Sequence, residues 1–253
     1  MGKVIAVANQ KGGVGKTTTV INLSAYLADA GKRVLAVDID PQGNTTTGLG
    51  VDKSLMEQSV YDALLGEGDI MEALVPTDVV GLHLIPATLD LAGAEVELAH
   101  AAHRESLLKD RLMRIRERYD FVFIDCPPSL GLLTINALTA ADSVLIPIQC
   151  EFFALEGLSQ LLATIDLVQQ RLNPGLKLQG VVLTMFDGRT NLATQVAEEV
   201  RNHFTSKVYR SVIPRTVRLS EAPSHGLPIM RYDAKSRGAE GYRLLAEEVI
   251  QNG

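Results

Sequence analysis

The sequence predicts an α/β fold, a mostly parallel twisted sheet with helices on both faces, and three observations carry that prediction. Short, near-continuous apolar runs alternate with helix-length segments whose apolar residues recur at helical spacing. Because the runs are apolar throughout, both faces of the sheet should be covered. A glycine-rich loop follows the first run directly, and acidic segments follow two others. Right-handed crossovers place the strand C-termini along one edge, so the chemistry should collect there.

The elements follow in order. Residues 4–8 form the first strand, and Lys11-Gly12-Gly13-Val14-Gly15-Lys16-Thr17-Thr18 stands between it and a helix. Such a loop cradles phosphate with backbone N–H groups and the positive end of the helix, while a lysine and a hydroxyl complete a magnesium–nucleotide site. Lys16 is expected at the β- and γ-phosphates and Thr17 on Mg²⁺. Gly12 to Gly15, Val14 included, allow close backbone approach, and Thr18 lies near the α-phosphate. The common pattern G-x-x-x-x-G-K-[ST] would need glycine at position 10. This chain has Gln10 there and an added lysine, Lys11.

The second strand, 34–37, runs into Asp38-Ile39-Asp40-Pro41-Gln42-Gly43 and the polar run 44–47. Alternation points Asp38 and Asp40 to the same side. Asp40 is assigned to position an attacking water or accept its proton. Asp38 supports the magnesium shell or the loop, with a plain turn role as the alternative. Residues 82–86 and 121–124 give further strands, the latter ending at Asp125, placed for the second magnesium-supporting carboxylate. Runs 143–148, 180–184 and 208–213 complete seven expected strands. The segment 242–253 could form an amphipathic helix, but Glu247 and Glu248 suit an anionic membrane poorly, so core packing is expected.

The chain has 253 residues with 46% apolar content, no internal repeat and no low-complexity tract, so one domain spanning 1–253 is expected. Its two cysteines, Cys126 and Cys150, lack metal or disulfide spacing, and its five histidines form no nucleophile or metal constellation. Without a leader or a long apolar run, a cytoplasmic protein is expected. Basic residues number 24 against 30 acidic, yet residues 201–237 hold eight basic residues against two acidic. A region of that kind can neutralise DNA phosphates without reading bases.

The phosphate loop, the Asp38–Gly43 segment and Asp125-Cys126-Pro127-Pro128-Ser129-Leu130-Gly131 resemble the deviant Walker A loop and two switch segments of ParA/MinD-type ATPases. Further segments at 85–88, 91–95, 132–139, 156–158 and 212–226 resemble the chromosome-partitioning ParA proteins, Soj-type members above all. The resemblance implies a P-loop NTPase of SIMIBI type. It also implies a slow ATPase in which Mg·ATP drives a nucleotide-sandwich homodimer, with Lys11 reaching the partner's phosphates. Nonspecific double-stranded DNA binding through Arg189 and Arg218 is implied as well, with Arg215 and Lys235 as additional candidates. A ParB-type partner would stimulate hydrolysis, and the protein would associate with the nucleoid and not with membrane. Met185, Pro214 and Thr216 should flank the adenine; Thr216 departs from the asparagine common in close relatives. A MinD-like membrane switch is the alternative reading.

Overall fold

The computed structural model describes residues 2–66, 68–151 and 156–252, with side chains at 156 and 157 left aside. In β1 (Lys3–Val7), Val4 and Ala6 enter one apolar core while Ile5 and Val7 enter another, because successive side chains of a strand point to opposite faces. The same split recurs in β2 (Val34–Asp38), where Leu35 and Val37 face one core and Val34 and Ala36 the other. The strands are therefore buried on both sides.

The remaining strands are β3 (Val75–Pro76), β4 (Leu82–Ile85), β5 (Phe121–Asp125), β6 (Ser143–Gln149), β7 (Lys177–Phe186) and β8 (Val208–Pro214). Among the described residues they form one eight-stranded sheet in the order β3-β4-β2-β5-β1-β6-β7-β8. All pairings are parallel except β3 with β4. The seven expected strands are all present. The eighth, β3, was not expected: two residues, one of them proline, leave no period to read, and proline is confined to sheet edges.

The helices are α1 (Lys16–Asp29), α2 (Asn44–Gly48), α3 (Val60–Leu65), α4 (Leu91–Leu98), α5 (Leu107–Leu112), α6 (Leu132–Ala140), α7 (Glu156–Arg171), α8 (Asn191–Phe204), α9 (Val217–Glu221), α10 (Ile229–Tyr232) and α11 (Arg237–Gln251). Helices α3 to α8 cover one face, and α1 with α9, α10 and α11 cover the other. The side chain of Glu156, within the 156–158 resemblance, lies outside the described residues. The expected core packing of the C-terminal segment is present: Tyr242, Leu245, Ala246 and Val249 of α11 are buried. Glu248 accepts from the Arg210 and Ser211 backbone N–H groups, so α11 is tied to β8 by hydrogen bonds as well as apolar burial.

Candidate functional site: a phosphate loop, a carboxylate pair and a cavity

The site is built where β1 ends. Asn9 fixes the start of the loop, donating from Nδ2 to Pro147 O at 2.7 Å and accepting from Lys11 N at 3.0 Å. Gly13 and Gly15 have φ of 72° and 89°, a left-handed backbone that a side chain would strain. Gly15 is the N-cap of α1 and offers no side-chain cap, so the first N–H groups of the helix keep their capacity for an anion. Thr184 Oγ1 on β7 donates to Val14 O at 2.7 Å and clamps the loop from beneath.

Lys16 is buried, and its Nζ donates to Lys11 O at 3.3 Å, so the ammonium already sits inside the curve of the loop. Burial lowers its pKa, and the carboxylate of Asp125 opposes that shift. A phosphate group arriving there would supply the missing anion.

Parallel pairing of β2 with β5 sets Asp38 beside Asp125 as register partners. Both are fully buried. Asp38 Oδ2 accepts from Thr46 N and Thr46 Oγ1, each at 2.8 Å, and Oδ1 accepts from Asp40 N at 3.2 Å. Its carboxylate thus ties residues 40 and 46 to the end of β2. Asp125 Oδ2 accepts from Thr45 Oγ1 at 2.7 Å, while Oδ1 is buried without a partner. Burial pushes the Asp38 pKa up to about 6, against the hydrogen bonds from Thr46. Burial and the neighbouring Asp38 push Asp125 up to about 8, against Thr45 and Thr17.

An orphaned carboxylate oxygen next to a hydroxyl is a donor set of the hard-oxygen kind that Mg²⁺ takes, so Thr17 and Asp125 fit a magnesium ion, with Asp38 behind them. No group of three or more His, Cys, Asp or Glu among the described residues is arranged to hold a metal, so phosphate oxygens and water would complete the shell. Asp40 is nearly buried, with Oδ1 accepting from Gln42 N at 3.0 Å.

A cavity of about 520 Å³ opens beside the loop, lined by Gly15, Thr18, Met185, Pro214, Thr216 and Tyr242 among others. The sheet order brings residues 200 apart in sequence to one wall, because β7 and β8 end on the same edge as β1. The three residues expected at the base therefore stand on the same cavity as the loop. Thr216 Oγ1 also accepts from Arg218 N as the N-cap of α9, which commits its acceptor capacity locally. Sequence reasoning placed Thr184 only in the strand end beside the base and missed its bond to the loop, and it missed the roles of Thr45, Thr46 and Tyr242. The hydroxyl run after Asp40 was the one signal for Thr45 and Thr46; nothing local marked Tyr242.

A family described as an AAA domain matches residues 2–178. The sporulation initiation inhibitor protein Soj of Bacillus subtilis is 62% identical over 253 residues, covering 100% of both chains. The chromosome partitioning protein ParA of Myxococcus xanthus is 57% identical over 99% of this chain and 89% of its own. The chain belongs to the Soj/ParA family of chromosome-partitioning ATPases. A solved structure described as cobyrinic acid a,c-diamide synthase from Mycobacterium smegmatis, with ADP and magnesium, is 45% identical, covers 99% of this chain and 95% of its own, and superposes with a TM-score of 0.87.

The basic residues named from the resemblance stand around the mouth of the site, and Arg215 is itself part of the cavity lining. Lys11 is part-exposed, and its Nζ stands 3.7 Å from Glu151 at the C-terminal end of β6. Arg189, with its side chain 89% exposed, pairs with Asp187 after β7. Arg215 is exposed and follows β8, its N–H bonding Phe186 O at 3.2 Å. Arg218 pairs with Glu221 and Asp233, the latter two residues before exposed Lys235. These four basic residues thus gather around the ends of β7 and β8, although Arg218 is already matched by two carboxylates.

Proposed function

We propose that the chain, residues 1–253, works as one ATP-driven switch in DNA partitioning. Lys16 and the N–H groups opening α1 bind the β- and γ-phosphate oxygens of ATP, and the β8 wall with Met185, Pro214 and Thr216 takes the base. Thr17 and Asp125, with Asp38 in support, would hold Mg²⁺, which would supply charge neutralisation at the phosphates. Asp40 orients a water and accepts its proton. Lys11 leaves Glu151 to reach the phosphates of a second copy, so ATP favours a homodimer, and dimerisation in turn tightens ATP binding. The dimer then binds nonspecific double-stranded DNA through Arg189, Arg218, Arg215 and Lys235 on the nucleoid of the cytoplasm. A ParB-type protein stimulates hydrolysis and returns the chain to its weakly bound form.

The observation that carries this reading is the convergence of Lys16, the orphaned Asp125 oxygen and the cavity on one sheet edge, with Lys11 on the rim outside them. A MinD-like membrane switch would need a free amphipathic segment. Here the apolar face of α11 is buried against the core, Glu248 is bound to β8, and among the described residues no helix is long and apolar enough to cross a membrane. Cosedimentation of the ATP-loaded protein with DNA and with anionic liposomes over a salt series tests the reading. DNA should carry the protein down with a steep loss as salt rises, and liposomes should not; the reverse pattern would sink it.

A further inference from the structure

At the sheet edge opposite the phosphate loop, the beginnings of β1, β6, β7 and β8 stand side by side, since those strands are neighbours in that order. Lys3 opens β1, and Lys177 opens β7 as the register partner of Ser143. Lys207 closes the short 3-10 turn Thr205–Lys207 that leads into β8. That turn comes in close because position 180 is glycine: a β-carbon there would lie 3.0 Å from Lys207 O. The three lysines, with Gln179 and Ser206, line an open cavity of about 620 Å³. It continues into a second hollow of about 250 Å³ through Gln179, Ser206 and Lys207.

The charges in this cavity are unbalanced. Among the described residues, none of Lys3, Lys177 and Lys207 forms an ion pair. The carboxylate in the larger lining, Asp142, is already engaged, its Oδ2 accepting from Arg116 Nη2 at 2.6 Å and from Val4 N at 2.8 Å, and Glu248 in the second hollow accepts from the Arg210 and Ser211 N–H groups. Burial lowers the pKa of the Lys3 ammonium; Asp142 opposes this and the like charge of Lys207 adds to it. The floor is fixed by Ser143 Oγ donating to Gln179 Oε1 at 3.0 Å, while Gln179 Nε2 donates to Tyr209 OH at 3.1 Å. Like charges converging on a concave polar surface repel one another, and a bound anion would relieve that repulsion.

We propose that this cavity is a second anion site, separate from the nucleotide site, that takes a phosphate-class oxyanion, either free or at the end of a phosphorylated small molecule. The wall is polar and lacks the apolar slot beside the phosphate loop, so the charged group and not a base is what it recognises.

The test uses the full chain saturated with Mg·ADP, so that the nucleotide site is filled. Inorganic phosphate should shift the backbone amide resonances of residues 177–179 and 206–207 saturably, and potassium chloride at matched ionic strength should not. Glycerol phosphate in a second arm separates an ester from the free anion, and saturation by either supports the site. Replacing both exposed lysines, Lys177→Gln with Lys207→Gln, should weaken the titration roughly tenfold or more while ADP affinity and melting temperature stay at wild-type values. Shifts equal to those in chloride, an unchanged titration in the double variant, or shifts produced only by a short DNA duplex would each overturn the proposal.

Discussion

Lys11 and Glu151 face each other at 3.7 Å across the mouth of the phosphate loop, within one chain. A lysine that is to reach a second copy's phosphates must first give up this contact. Both side chains are a third or more exposed, so the pair holds weakly, by about 1 kcal/mol or less. Glu151→Gln should therefore strengthen ATP-dependent dimerisation by a few-fold at most. Lys11→Ala should keep ATP binding and lose the dimer. Sedimentation of each variant with and without Mg·ATP checks both; a weaker dimer in Glu151→Gln, or a normal one in Lys11→Ala, contradicts the arrangement.

Lys16→Ala removes the buried ammonium from the centre of the loop, and nucleotide binding should be lost. Asp40→Ala should bind ATP normally and slow turnover by about 100-fold, the scale of a general base. Equilibrium binding of a fluorescent nucleotide alongside phosphate release separates the two effects. Wild-type turnover in Asp40→Ala would remove that residue from the chemistry.

The basic surface calls for two different substitutions. Arg189 projects into solvent and pairs with Asp187, so Arg189→Glu should leave the fold intact. Arg218→Glu would instead place a third carboxylate against Glu221 and Asp233, so Arg218→Ala is the cleaner change. The double variant should release DNA, keep ATP-driven dimerisation, and flatten the slope of log affinity against log salt by about two charges. An unchanged slope would move the DNA surface elsewhere.

Much of the sheet was legible because buried parallel strands are apolar runs bounded by turns, and each of the seven expected runs became a strand. The loop was legible because its glycines and lysines are contiguous. The pairing of Asp38 with Asp125 was not, since 87 residues separate them and only the register of β2 on β5 sets them side by side. Glu151 and Tyr242 were invisible for the same reason: each acts on the site by where the fold delivers it. Lys16 and Asp125 could be named from sequence, but the unpartnered Asp125 oxygen could not.

Tyr242, the largest fully buried side chain among the described residues, shares a hydrogen bond of 3.1 Å with Thr19 Oγ1, one turn into the helix that opens at the phosphate loop. Tyr242→Phe leaves the ring in place and strips Thr19 of its buried partner. Stability should fall by about 1–2 kcal/mol. That corresponds to roughly 2–4 °C in melting temperature per kcal/mol in a chain of this size. Nucleotide binding should weaken only if the start of α1 loosens, so calorimetric melting with and without Mg·ADP distinguishes a local loss from one that reaches the site. No change in melting temperature would mean that the hydroxyl contributes nothing.

Acid titration of the buried pair has a defined direction. The ordinary carboxylate value is 3.8, while burial holds Asp38 up to about 6 and Asp125 up to about 8 in the folded chain. Between those limits the folded chain keeps protons that the unfolded chain has released, so stability falls as pH rises. The contribution from the pair is complete below the ordinary value and is lost as pH rises through the raised range in which the folded pair titrates. The melting temperature of the ligand-free protein should therefore decline across that window. Asp125→Asn carries no proton to lose and should make the decline shallower. Nucleotide with magnesium, which favours the ionised carboxylates, should oppose the decline and release protons on binding, seen as a calorimetric enthalpy that depends on the buffer. A melting curve for Asp125→Asn that runs parallel to wild type through the window would show that Asp125 is already ionised there.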